Sequence, residues 1–263
     1  MVKKINRNSL LYKTKVEYGD YTINHVVGCA HGCTFPCYAF NMSKRFGNVK
    51  TYQEWIEPKL VANALELLEK ELPKHKDKIE SVQLCFMTDP FMDDYPEVGE
   101  MSIKLIQRIN QEGIKCIVLT KGTLPAYLSD TAKNNEFGIT LVSLHDAFKE
   151  KYEPFATNYE ERIAALKILH DAGCRTWVSI EPFPTPNIDA TPIEDILSKI
   201  GFVDKVVFGR LHYNKLVGEY KDYQSFYNQA TEKVIAFCKC HGIKCHIKHG
   251  TYVKEGVAID VDF

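Results

Sequence analysis

Apolar positions along the chain follow two periods. Short runs rich in β-branched residues stand at 22–27, 81–86, 115–119, 139–143, 176–180, 205–208 and 244–248. Between most of them, apolar residues recur every three or four positions. Leu60, Ala64, Leu67, Leu68 and Leu72 make one stripe, and Val98, Met101, Leu105, Ile106 and Ile109 a second. Ile163, Leu166 and Leu169 make a third, closed by Ala172-Gly173. Ile193, Ile196, Leu197 and Ile200 make a fourth, ended by Gly201. Tyr223, Phe226, Tyr227, Ala230, Val234 and Phe237 make a fifth, ended near Gly242. The runs predict strands and the stripes helices, with glycine as the stop signal. Residues 120–138 carry the weakest pattern and predict a short helix.

Strand and helix alternating six or seven times predict parallel pairing with right-handed crossovers. Near-continuous apolar strands suit a sheet covered on both faces. The expected fold is therefore α/β, an open, partial TIM-type barrel of six to seven β/α units with parallel strands. No linker, repeat or low-complexity stretch divides the chain. Residues 1–263 are read as one domain, with 1–20 as an N-terminal extension and 187–263 as a less recognisable C-terminal part.

Composition narrows the function. Of 263 residues, 25% are charged and the net charge is −1, so the overall electrostatics demand neither a polyanion nor an anionic membrane. No apolar run approaches the roughly 20 residues that span a bilayer. The N-terminus has basic residues without an apolar stretch after them, so it does not read as a secretory signal. A cytoplasmic location is expected. Nine cysteines then read as reduced thiols. Cys85, Cys116 and Cys174 lie in apolar runs and suit burial. The stretch GCAHGCTFPCYAF at 28–40 does not, because three close cysteines among glycine, histidine and proline make no core pattern. Cys29, Cys33 and Cys37 there predict metal ligation.

Every predicted strand is followed by chemically capable residues. The second runs into MTDPF, the third into TKG and the fourth into Ser143-Leu144-His145. The fifth runs into Glu181-Pro182, the sixth into Gly209-Arg210-Leu211-His212 and the seventh into Lys248-His249. In a (β/α) barrel those ends converge on the active face. Three cysteines on one loop do not complete a four-ligand site. Either a distant ligand joins them, or one iron of a cluster stays open. His25 and His31 are near enough to be weighed as a fourth ligand but read better as hydrogen-bonding loop residues. An open iron is what a cluster needs to chelate the amine and carboxylate of S-adenosylmethionine. Cys238, Cys240, Cys245, His241, His246 and His249 make a second candidate metal group. Helical spacing puts Cys238 and Cys240 apart, and strand alternation separates Cys245 from His246.

These motifs together resemble the radical SAM superfamily, and within it the branch related to spore photoproduct lyase. The similarity rests on GCAHGCTFPCYAF, MTDPF, LTKG and YEPFATNYEERIAALKILHDAG, over about residues 22–186. The cysteine spacing departs from the usual CxxxCxxC by one residue, and aligning Phe35 with the family's aromatic makes Pro36 the insertion. The resemblance implies a [4Fe–4S] cluster on Cys29, Cys33 and Cys37, reductive cleavage of S-adenosylmethionine, and a flavodoxin- or ferredoxin-like electron donor. It implies that Phe35, Tyr38 and Phe40 lie at the adenine, and that Thr88 and Asp89, with Met87 beside them, hold the methionyl amine. Lys121 is expected at the methionyl carboxylate, Ser143 as a further hydroxyl donor, and Glu181 at ribose hydroxyls or substrate. Glu153 and Arg162 read as a pair pinning a loop to a helix. The substrate is not readable; a nucleic acid is one candidate, from the branch and from Arg210, His212, Lys215, Lys221 and the tyrosines of 210–224. An iron–sulfur redox sensor and a zinc-dependent nucleic-acid-binding module are the alternatives.

Overall fold

The computed structural model describes residues 2–17, 19–35, 37–212 and 214–263. Its main sheet has nine strands: Leu11–Lys13 (β1), Tyr21–Ile23 (β2), Ser81–Leu84 (β3), Lys115–Thr120 (β4), Glu136–Thr140 (β5), Arg175–Phe183 (β6), Lys205–Arg210 (β7), Lys244–Ile247 (β8) and Val261–Asp262 (β9). They stand side by side in chain order. From β2 to β8 each strand is parallel to its neighbour, and β1 and β9 add antiparallel at the edges. The expected α/β alternation and parallel pairing are thus present. β1 and β9 do not pair with each other, so the sheet is open.

Helices fill the crossovers: Tyr38–Arg45 (α1), Ala64–His75 (α2), Pro96–Gln111 (α3), Asp146–Tyr152 (α4), Tyr159–Asp171 (α5), Ile193–Lys199 (α6) and Tyr223–His241 (α7). The apolar stripes of α2–α7 pack against the sheet face that carries Val118, Val178, Val206 and Phe208. The weak unit after β4 has only a 3₁₀ turn, Ala126–Asp130. Among the described residues, no helix is long and apolar enough to cross a membrane.

Three boundaries differ from the sequence reading. The run 22–27 is two strands, because the chain leaves the sheet at Asn24, whose side-chain oxygen accepts from Met87 N at 3.0 Å. Val26–Val27 pairs instead with Lys59–Val61, beside Lys3–Ile5, in a small separate sheet. Leu60 belongs to that sheet and not to the helix, which begins at Ala64; apolar spacing alone cannot separate a strand residue one turn before a helix from the helix itself. The fourth run begins at Glu136 rather than 139, because Lys115 of the neighbouring β4 (2.7 Å) and Lys205 of β7 (2.5 Å), reaching across β6, hold the Glu136 carboxylate in line.

The other face of the sheet holds Ile117, Leu119, Trp177 and Val207. Trp177 lies across from Gly138 in register and donates to Val118 O at 3.1 Å. Lys205 stands over its ring at 4.9 Å. Indole and ion pairs together fill the amino-terminal ends of β4–β7, so the carboxyl ends are left for chemistry. A Cβ on Gly138 would lie 2.5 Å from the Trp177 ring. Gly138→Ala should therefore cost about 1–3 kcal/mol through overpacking, read as a lowered denaturant midpoint. An unchanged midpoint would mean that the indole is free to shift.

Candidate active site

The cysteine loop turns on two glycines. Gly28 has φ +93°, and a Cβ there would sit 2.6 Å from Trp55 O. Gly32 has φ +60° and lies against the Phe155 ring. The loop is then tied down on both sides. Cys29 N donates to Trp55 O at 2.9 Å, and the Thr88 hydroxyl donates to Gly28 O. Thr34 bonds Tyr152 O (3.0 Å) and Lys151 O (2.8 Å). Phe35 is buried edge-on against Phe148 and Tyr152 of α4.

Cys29, Cys33 and Cys37 are unoxidised and half-buried on this loop. Cys37 caps α1, its Sγ accepting from Phe40 N at 3.5 Å. Lys121 Nζ donates to Cys33 Sγ, also at 3.5 Å. Burial pushes the Cys33 thiol up to about 12, with the Lys121 charge pulling the other way. Burial also raises Cys29 and Cys37. Two N–H donors aimed at the sulfurs suit thiolate ligands, and the three thiols lie close enough to feel one another's charge. Among the described residues, no three His, Cys, Asp or Glu side chains could hold a single metal ion. In the second candidate group Cys238 and Cys245 are buried and hydrogen-bonded to each other while Cys240 is exposed, so the three do not converge on a metal. Pro36, the extra residue of the cysteine motif, lies outside the described residues, as does Tyr213.

Asp89 is not open to an incoming ligand. It is buried, and it accepts from Thr120 Oγ1 (2.6 Å), Lys121 N (2.8 Å) and Phe91 N (2.9 Å). His31 Nε2 lies 3.0 Å from it as an ion-pair contact. Burial raises its pKa, but His31 and these donors outweigh that and hold the carboxyl below its usual range. The carboxylate expected at an amine is thus spent on fixing its own turn. Thr88, too, has its hydroxyl engaged, with Gly28.

Lys121 is also engaged. Its Nζ lies 2.6 Å from Glu153 Oε1, and Glu153 Oε2 lies 2.9 Å from Arg162 Nη2. Arg162, fully buried, further donates to Thr157 O (2.8 Å) and Thr140 O (2.9 Å). The Glu153–Arg162 pair is thus the loop-to-helix pin read in the sequence. Lys121 stands as a third member rather than as a free carboxylate partner. Ser143 is buried and caps the turn into α4 by accepting from His145 N at 2.9 Å, so its hydroxyl does not face the opening. Phe35 and Phe40 are packing residues, Phe40 against Tyr52 and Trp55. Tyr38 alone of the three aromatics is exposed, at 66%.

Across the mouth, Glu181 lies 4.0 Å from Lys248 Nζ, and burial raises its pKa. Gly209 makes room between them, since a Cβ there would be 2.9 Å from both side chains. Glu17, from the β1–β2 turn, reaches Lys248 at 3.3 Å and His246 at 3.2 Å. Sequence reasoning missed Glu17, whose turn carries no motif. It also missed the pairing of His145 with Asp189 at 2.8 Å, which joins two loops 44 residues apart. Arg210, expected to face a polyanion, donates to Gln224 Oε1 at 2.9 Å and to the His212 ring.

The family model described as the Radical SAM superfamily matches residues 23–200. An uncharacterized protein of Methanocaldococcus jannaschii is 28% identical over 189 residues, which cover 71% of this chain and 69% of that protein. Among solved structures, a mutant spore photoproduct lyase with bound AdoMet and dinucleoside spore photoproduct superposes with a TM-score of 0.66. It is 13% identical, covering 96% of this chain and 82% of that one. A second mutant of a spore photoproduct lyase gives 0.67 at 12% identity, with the same coverage. At these identities the likeness is one of fold.

Glu153 is held down to about 2, because Lys121 and Arg162 outweigh the burial that would raise it from 4.5. A depressed carboxylate gives its stability above the unfolded value and loses it as pH falls through the folded one. Acid unfolding of the metal-free protein should therefore draw on this group between pH 4.5 and about 2. Glu153→Gln should remove that part of the pH dependence and cost about 3–5 kcal/mol at neutral pH, since two cations stay buried around a neutral amide. Denaturation across pH reads both effects.

Proposed function

Since the chain belongs to the radical SAM superfamily, we propose that Cys29, Cys33 and Cys37 hold its [4Fe–4S] cluster and that S-adenosylmethionine binds beside it at the carboxyl ends of the strands, in a partial barrel. The family works with that cluster and that cosubstrate, and the protein is an enzyme. When bound, the two supply a 5′-deoxyadenosyl radical through reductive cleavage of the sulfonium. The observation that carries the assignment is three free thiols on one loop, with the Phe40 and Lys121 N–H groups aimed at two of them.

The chain's own groups give the chemistry its geometry. Gly28 and Gly32 bend the loop, and Thr88, Thr34 and Phe35 fix it. Asp89 locks the turn after β3, leaving the turn's carbonyls to meet the methionyl amine. Tyr38 offers an open aromatic face to the adenine. Glu181, kept protonatable by burial, and Lys248 present a polar pair to ribose hydroxyls or substrate. Trp177 and the Lys115–Glu136–Lys205 group close the amino-terminal ends of the strands, so access is from the mouth.

The electron comes from a one-electron carrier of the flavodoxin or ferredoxin kind. For the substrate, a nucleic acid is the reading favoured by the dinucleoside complex of the similar lyase and by exposed Lys215. Arg210 contributes less to it, being held by Gln224. Oligonucleotide binding that weakens steeply with salt, with a slope flattened by Lys215→Ala, supports this class; no binding at low salt turns the search to small molecules and peptides.

The assignment itself is tested by anaerobic reconstitution with iron and sulfide. The protein should turn brown and, given a reductant, convert S-adenosylmethionine to 5′-deoxyadenosine. Replacing any one of Cys29, Cys33 or Cys37 with Ala should abolish both. Brown protein that never cleaves S-adenosylmethionine would instead indicate a redox sensor, and colourless protein holding zinc a structural metal site.

A further inference from the structure

Lys121 touches two groups that otherwise have nothing in common. Its ammonium lies 2.6 Å from Glu153 Oε1 and 3.5 Å from Cys33 Sγ. Glu153 is shared with Arg162, so the three side chains (+1, −1, +1) sum to one net positive charge beside the cysteine loop. The nearby Asp89 carboxylate acts on Cys29, whereas the charge facing Cys33 at hydrogen-bond distance is the Lys121 ammonium. Glu153 and Arg162 have no solvent exposure, so water screens this charge weakly.

Resting on the cluster assignment above, we propose that Lys121 is a positioning residue that sets the reduction potential of the cluster through Cys33. Its ammonium donates to the ligand sulfur, and its charge favours the state with one more electron. Hydrogen bonds to ligand sulfurs and local net charge are the protein's main controls on such potentials. The step is a simple electron gain from the external donor, with no bond made or broken. A role at the methionyl carboxylate would need the ammonium to turn away from Glu153, leaving that buried carboxylate with Arg162 alone. The geometry favours a lysine that stays on its two partners and tunes the reductive step.

The test uses the full chain, reconstituted anaerobically. The midpoint potential is read by EPR-monitored redox titration, and S-adenosylmethionine affinity by equilibrium dialysis on the same preparations. Lys121→Met should lower the reduction equilibrium constant about tenfold, about 59 mV for one electron, with affinity unchanged. Lys121→Arg, which restores a cation, should return the potential toward wild type. Where the Met variant does not fold, Lys121→Gln can still hydrogen-bond Glu153 and should show the same downward shift. An unshifted potential in a folded, cluster-bearing Met or Gln variant overturns the proposal. Weakened affinity with an unshifted potential also overturns it and makes Lys121 the carboxylate's partner. A wild-type protein that takes up no cluster overturns the cluster assignment as well, and so is told apart from failure of this inference alone.

Discussion

Glu153 is a carboxylate without solvent contact, held between Lys121 and Arg162. Much of the candidate site depends on that ion group. Through Lys121 it fixes the end of β4, and through Arg162 it grips the carbonyls of Thr140 and Thr157. Glu153 itself ends α4, whose Phe148 and Tyr152 support the cysteine loop through Phe35. Three charges in a dry interior would be costly singly, but each has a partner at hydrogen-bond distance. The result is a rigid floor under the loop, with one positive charge turned toward Cys33.

A second set of contacts decides which end of the sheet is available. Trp177, opposite Gly138, fills one face near the amino-terminal ends, and the Lys115–Glu136–Lys205 ion group closes beneath it. At the carboxyl ends the side chains are short, polar or turned into loops. The sheet stays open between β1 and β9, and Glu17 from the β1–β2 turn reaches across to Lys248 and His246 beside β8. The mouth is thus bounded by an ionic contact where a closed sheet would have backbone hydrogen bonds.

Most of the polar groups that the motifs single out are engaged with protein. Asp89, Thr88 and Ser143 hold turns, and Lys121 holds Glu153. Glu181 and Lys248 stand farther apart and line the opening. A site built this way keeps its loops fixed before any cosubstrate arrives, which lowers the ordering cost of binding.

The sequence by itself determined the α/β alternation, the parallel order and the cysteine loop. Apolar periodicity is local, and the two repeats differ enough to be told apart over ten residues. Three thiols within nine positions are likewise a local signal. The Glu153–Arg162 pin was legible too, because its partners lie nine residues apart on one loop and helix. What only the tertiary structure decided is which side chains those motifs leave free. Asp89 is closed by Thr120 and His31, Lys121 by Glu153, and Arg210 by Gln224. Glu17 gains a role only when the β1–β2 turn approaches the end of β8, 231 positions away at Lys248. A hydrogen bond is satisfied by distance and direction in space, and no spacing along the chain encodes either for residues that meet across the sheet.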